Sequence, residues 1–162
     1  MPRLLKEKLY TPEHGFVTAK IRHINENVLS SNNYPQAAQN IEVSDLLMAY
    51  LSKLGVEYVF GIPGGAIEPL YNALARSERA GGPQAIVARH ETGAACMADD
   101  YSRNSGRLGV CCSTTGPGAT NLITGVASAY ENNVPILVIT AQTSLNHFGR
   151  KAFQESGDTG IN

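Results

Sequence analysis

From Ile41 onward, apolar and polar positions alternate between two periods. Val43, Leu46, Leu47, Tyr50, Leu51 and Leu54 recur at the spacing of one helical face, and Gly55 is a natural stop. Residues 57–60 then predict a short strand, broken by Gly61-Ile62-Pro63-Gly64-Gly65. Helical spacing resumes over 67–75 through Leu70, Tyr71 and Leu74, and Gly81-Gly82-Pro83 reads as a turn. A strand over 84–89, a small-residue helix over 92–104, a strand over 108–113 and a helix over 119–130 follow. Asn132-Asn133 ends that helix, and the apolar run 135–140 predicts a fourth strand. Continuous apolar runs of this kind are expected of parallel strands buried on both faces. Regular helix–strand alternation therefore predicts an α/β fold, a parallel sheet with helices on both faces.

The two ends of the chain read differently. In residues 1–40 the positions Val17, Ile21, Ile24 and Val28 share one helical face, and Ser30-Ser31-Asn32-Asn33-Tyr34-Pro35 forms a turn cluster. This predicts an N-terminal arm with one amphipathic helix, followed by a domain over 41–162. Glu7, Glu13 and Glu26 oppose the acid-poor pattern of organelle transit peptides. The tail 141–162 is polar and turn-rich with no closing strand, so the domain reads as incomplete, stopping in mid-fold.

Composition narrows the classes. The 162 residues carry 13 basic and 14 acidic side chains, a net charge of −1, with no block of one sign. Neither a nucleic-acid partner nor an anionic membrane is expected. No apolar run approaches spanning length and the N-terminus has no signal-peptide core, so the expected location is cytoplasmic. Three cysteines, two of them adjacent at Cys111-Cys112 in a strand pattern, suit a core in a reducing compartment rather than a disulfide framework. The four histidines are scattered and neither CxxC nor HExxH occurs, so no metal site is expected within the chain.

The chemistry centres on Gln84-Ala85-Ile86-Val87-Ala88-Arg89-His90-Glu91, where an apolar run ends in a carboxylate and a helix begins at once. Glu91 is thereby placed at the carboxyl end of a parallel strand, the edge at which open α/β sheets bind ligands. A purely structural role is the competing reading: a carboxylate at a helix start complements the dipole by a fraction of a kcal/mol. Gly116-Pro117-Gly118-Ala119-Thr120-Asn121 follows a strand and opens a helix, as a dinucleotide fingerprint does. Asn121 occupies the third glycine position, however, and the next strand ends in Thr140 where a ribose-binding acid belongs, which disfavours a nicotinamide or flavin domain. The Gly61–Gly65 turn has no P-loop lysine. By spacing alone, both turns only let a backbone approach something closely.

Four segments taken together are more specific: Phe60-Gly61-Ile62-Pro63-Gly64-Gly65-Ala66, Arg89-His90-Glu91, Thr115-Gly116-Pro117-Gly118-Ala119-Thr120-Asn121-Leu122 and Ala152-Phe153-Gln154-Glu155. In this order they resemble the N-terminal, pyrimidine-binding domain of thiamine-diphosphate enzymes of the acetolactate (acetohydroxyacid) synthase type, over roughly residues 41–157. The resemblance implies that Glu91 is the cofactor-activating glutamate. Its carboxylate would meet N1′ of the aminopyrimidine and favour the imino tautomer, which takes the thiazolium C2 proton. A carboxylate that shares a proton near neutral pH must be desolvated, and burial among Ala88, Ala94 and Ala95 would supply that. Pro63, Gly64, Thr114, Pro117 and Asn121 match positions lining the aminopyrimidine pocket. Phe153 and Gln154 match active-site residues near the thiazolium and substrate, Gln154 also touching the cofactor. For Phe153 a role as buried anchor of the C-terminal loop stays equally open.

The resemblance further implies thiamine diphosphate as cofactor, with Mg²⁺ held through a domain absent from this chain and FAD in some full-length members. The implied reaction decarboxylates a 2-oxo acid such as pyruvate and transfers the acyl-anion equivalent to a second 2-oxo acid, as in branched-chain amino acid biosynthesis. Implied partners are copies of the chain in a homo-oligomer, or a separate chain carrying the diphosphate-binding domain. A non-catalytic fragment or partner subunit is the alternative. The family's Gly-Asp-Gly run with its later Asn is not in the sequence, and Gly157-Asp158-Thr159 does not replace it. Gly149-Arg150-Lys151 is basic where the family has an aspartate-flanked glycine, Ser144 stands at a frequent proline, and Ile62 stands at a frequent tyrosine. These positions bear on which 2-oxo acid is used.

Overall fold

The computed structural model describes residues 41–147, 149–150 and 152–155. The predicted arm helix around Val17–Val28 lies outside the described residues, as does the end of the tail. The elements run α1 (Val43–Lys53), β1 (Tyr58–Gly61), a short 3₁₀ turn (Gly65–Ile67), α2 (Glu68–Arg79), β2 (Gln84–Val87) and α3 (Glu91–Ser105). They continue with β3 (Gly109–Ser113), α4 (Pro117–Asn121), α5 (Ile123–Glu131) and β4 (Ile136–Thr140). Gly55, at φ 76°, turns the chain out of α1 in the left-handed conformation that glycine adopts without a Cβ penalty.

The four strands are all parallel and ordered β2-β1-β3-β4. Alternate side chains therefore enter two separate cores. Val59, Val110 and Cys112 face α1 and α2, packing with Met48, Leu51, Leu70 and Leu74. Phe60, Cys111 and Ala88 face α3 and α5, packing with Ala94, Ala95, Ala98 and Leu122. Helices thus cover both faces, as the alternation predicts. The adjacent thiols Cys111 and Cys112 are fully buried on opposite faces, and burial pushes them up to about 12 and about 11.

On the second face the small residues of α3 let the layers approach closely. A Cβ on Gly125 of α5 would lie 2.5 Å from Ala95 Cβ, and one on Gly109 would strike the Ala98 carbonyl. Buried Asp99 ties the layer together, accepting from Arg103 Nε at 2.8 Å and from Ser128 Oγ of α5 at 3.1 Å. Ser102 Oγ donates to the Pro135 carbonyl at the head of β4.

Three features differ from the sequence pattern. The helix predicted over 119–130 is two helices, α4 and α5, meeting at Leu122, whose amide reaches back three residues to Ala119. The helix after β2 starts at Glu91 itself rather than at Thr92. The fourth strand, apolar up to Thr140, is half-buried over Ile136–Ile139 and exposed at Thr140 rather than buried, because it lies at the sheet edge. After Thr140 the described residues form turns. Among the described residues no helix is long and apolar enough to cross a membrane.

Candidate functional site

Because the strands are parallel, their carboxyl ends lie along one edge of the sheet. From β1 the chain passes to β2 on one side, then returns to β3 on the other side of β1. The loops after β1 and β3 thus part over the switch point, where a crevice opens. Three segments gather at this edge: Ile62-Pro63-Gly64 after β1, Ala88-Arg89-His90-Glu91 after β2, and Thr114 to Gly118 after β3.

Glu91 is the first residue of α3, a position where the helix dipole favours negative charge. His90 caps the helix, its Nδ1 accepting from the Thr92 amide at 3.2 Å, so the ring proton resides on Nε2 when the imidazole is neutral. Glu91 is half-buried although Ala88, Ala94 and Ala95 beneath it are buried. Asn121, the last residue of α4, donates from Nδ2 to Glu91 Oε2 at 3.1 Å. An ionised carboxylate only accepts, so this bond fixes the amide orientation. Thr92 Oγ1 donates to the Asn121 carbonyl at 2.6 Å.

The wall beside this pair lacks side chains at two points. A Cβ on Gly118 would come within 2.9 Å of Thr114 Cγ2 and 3.4 Å of Glu91 Oε1. One on Gly64 would come within 2.8 Å of Thr114 Cβ and 3.0 Å of its Oγ1. Thr114 thus sits between the two glycine-bearing loops. Its Oγ1 is buried and has no hydrogen-bond partner among the described residues. Leaving such a group unsatisfied costs about 1–3 kcal/mol, a penalty that a ligand with a complementary polar atom would relieve.

The expected site residues fall into two sets. Gly64, Glu91, Thr114 and Asn121 are linked by the contacts above. Pro63 is exposed beside Gly64, and Pro117 is exposed at the start of α4. Phe153 and Gln154 lie in the described residues 152–155, and the Gln154 carbonyl occupies the place where a Gly116 Cβ would project. Gly116, at φ 60°, is in the left-handed region as well. Glu155 accepts from the Gly149 and Ala152 amides at 2.5 and 2.9 Å. Phe153 is 90 % exposed, so it is not a buried anchor in this chain. Thr92, Gly118 and Glu155 take part in the arrangement without having been singled out by sequence. Gly118 and Glu155 lie inside the quoted motifs, whereas nothing in the spacing marks Thr92.

A cavity of about 430 Å³ lined by Phe60, Met97, Asp100 and Tyr101 flanks the later turns of α3 rather than its first. It contains none of the residues gathered at the sheet edge. Among the described residues no cluster of three His, Cys, Asp or Glu side chains is placed to hold a metal ion.

A family model described as thiamine pyrophosphate enzyme, N-terminal TPP binding domain, matches residues 41–160. The chain is 45% identical over 126 residues to an acetolactate synthase of Arthrospira platensis, covering 78% of this chain and 22% of that protein. It is 49% identical over 118 residues to the acetolactate synthase large subunit of Lactococcus lactis subsp. lactis (strain IL1403), covering 73% and 20%. Against the large subunit of Pyropia yezoensis it is 49% identical over 115 residues, covering 71% and 20%. The chain spans about a fifth of the length of these relatives.

Proposed function

This chain belongs to the thiamine pyrophosphate enzymes through their N-terminal cofactor-binding domain, and on that premise we propose that it supplies the aminopyrimidine side of a thiamine-diphosphate site in a 2-oxo-acid carboligase of the acetolactate synthase kind. The observation that carries the proposal is the Glu91–Asn121 pair at the carboxyl edge of the sheet, with the buried Thr114 hydroxyl that has no partner among the described residues. An aminopyrimidine is flat and bears both donors and acceptors. It calls for an acceptor carboxylate, a hydroxyl and a wall that lets a ring lie close. Glu91, Thr114 and the glycines at 64 and 118 are groups of those kinds.

Bound thiamine diphosphate would supply a nucleophilic carbon and an electron sink for decarboxylation of a 2-oxo acid such as pyruvate. The remaining work belongs to the chain. Glu91 would hold the aminopyrimidine ring and give or take a proton at its carboxylate. Asn121 holds Oε2 and so determines which oxygen is left for that exchange. Gly64 and Gly118 keep the floor open, and Pro63 and Pro117 stiffen the loops around it. Phe153 and Gln154, on the segment beside Gly116, are the chain's candidates for contact with the substrate. Mg²⁺ and the diphosphate call for a further domain bearing Gly-Asp-Gly, in a longer chain or a separate subunit, and FAD where used belongs outside this domain. The chain by itself is then a half-site without turnover of pyruvate.

Glu91→Gln in the completed protein tests the assignment. Hydrogen–deuterium exchange at the cofactor C2 slows by about 10²–10⁴-fold, the usual range for a lost acid–base group, while the denaturant midpoint stays in place. Unchanged exchange at full cofactor occupancy, with a lowered midpoint instead, would leave Glu91 as a helix-dipole partner only.

A further inference from the structure

We propose that Thr92 is a positioning residue for the Glu91–Asn121 pair, acting through the backbone of Asn121. This deepens the reading above and rests on it for the pair's chemical purpose. Glu91 and Asn121 come from different elements, the first turn of α3 and the end of α4. Asn121 immediately precedes the joint at Leu122, where the amide ladder tightens to a three-residue step. Its backbone is therefore set less by a continuing helix than by what grips it from outside.

That grip is supplied by two neighbours in sequence. Glu91 accepts from the side chain of Asn121 at 3.1 Å, and Thr92 donates to its carbonyl at 2.6 Å. Residues 91 and 92 thus hold Asn121 at both ends. Thr92 is itself fixed, since its amide donates to His90 Nδ1 and its backbone belongs to α3. With only the carboxylate bond, the backbone of Asn121 could shift with the joint and carry its side-chain amide off Oε2. With the Thr92 hydroxyl on the backbone carbonyl, the backbone is held and the amide stays on Oε2. Thr92 touches no reacting atom in this scheme, and its effect is on where Glu91 points.

The test uses the full chain, isotopically labelled, with the solvent-exchange rate of the Asn121 side-chain amide protons read by NMR beside the denaturant midpoint. Thr92→Val removes the hydroxyl and keeps the shape, whereas Thr92→Ser keeps the hydroxyl. Exchange speeds up about tenfold in Thr92→Val, the loss of one ordinary hydrogen bond, and stays within about twofold of wild type in Thr92→Ser. Wild-type exchange in Thr92→Val, whatever its midpoint, would make Thr92 a merely structural tie and overturn the proposal. If Thr92→Val does not fold, Thr92→Ala is read in the same way, and fast exchange in Thr92→Ser overturns the proposal too. Hydrogen–deuterium exchange at the cofactor C2 in the completed protein carrying Glu91→Gln addresses the cofactor separately. Unchanged exchange there removes the cofactor reading, and the Asn121 exchange rates still decide the role of Thr92.

Discussion

At Gly118 a single methyl group decides whether the space beside Glu91 stays open. In Gly118→Ala the new Cβ meets Thr114 Cγ2 at 2.9 Å and approaches Glu91 Oε1 at 3.4 Å. Overpacking of this kind costs about 1–3 kcal/mol, and thiamine binding should fall far more than stability does. Calorimetric titration of the completed protein beside a denaturant curve checks both. Gly116→Ala acts differently, since the φ of 60° and the Gln154 carbonyl both oppose a side chain. The segment 152–155 must leave its place, and faster tryptic cleavage after Arg150 reports that. The residues of this neighbourhood were legible in unequal degree. Glu91 stands out locally as the carboxylate that ends an apolar run. Its link to Asn121 spans 30 positions, which no periodicity pairs, and only the resemblance to a family joined them. The Thr92 hydroxyl bond was invisible, because a threonine near a helix start more often suggests capping than a bond to another helix.

Among the elements, α3 and α5 carry the closest packing, and Asp99 is the charge between them. Hydrogen bonding from the Arg103 guanidinium, with help from the Ser128 hydroxyl, holds the Asp99 carboxyl below its usual range despite the opposing effect of burial. A carboxyl lowered in the folded state contributes stability that is complete above the ordinary aspartate range. That contribution is lost as the pH falls through the folded value. Asp99→Asn should therefore lower the midpoint at neutral pH, and the gap to wild type should narrow in acid below the ordinary range. Paired denaturation curves across that window check the sign. Gly125→Ala should separate α5 from α3, at a cost of about 1–3 kcal/mol, in the same assay. Helix and strand periods marked almost every element here. The break at Leu122 escaped because Leu122 and Ile123 continue the apolar rhythm, whereas the turn arises from backbone bonding at Ala119. The half-exposure of β4 escaped for a related reason, since an apolar run describes the strand and not its neighbours.

For the molecule as a whole, parallel order sends every β-to-α loop to one edge, and a single switch point between β1 and β3 localises the chemistry. The fold class could be inferred from alternation alone, but the strand order could not, because it is a matter of which side of β1 the chain returns to. The open side of β4 has Ile136 and Val138 toward one core and Leu137 and Ile139 toward the other. A partner that covers this edge should slow amide exchange along β4 first, whereas one that covers only Glu91 should not. The neighbouring strand β3 offers an internal chronometer of the two layers. One peptide bond separates Cys111 from Cys112, yet their sulfurs lie in different compartments of the molecule. Pulse alkylation during unfolding would label exposed Cys96 at once and the other two as their respective layers open. Because both marks fall on the same short peptide, fragment masses would reveal the order. Singly labelled peptide carrying the mark on Cys112 alone would mean that α1 and α2 peel away before α3 and α5. Simultaneous double labelling would mean that the sheet has one fate for both sides.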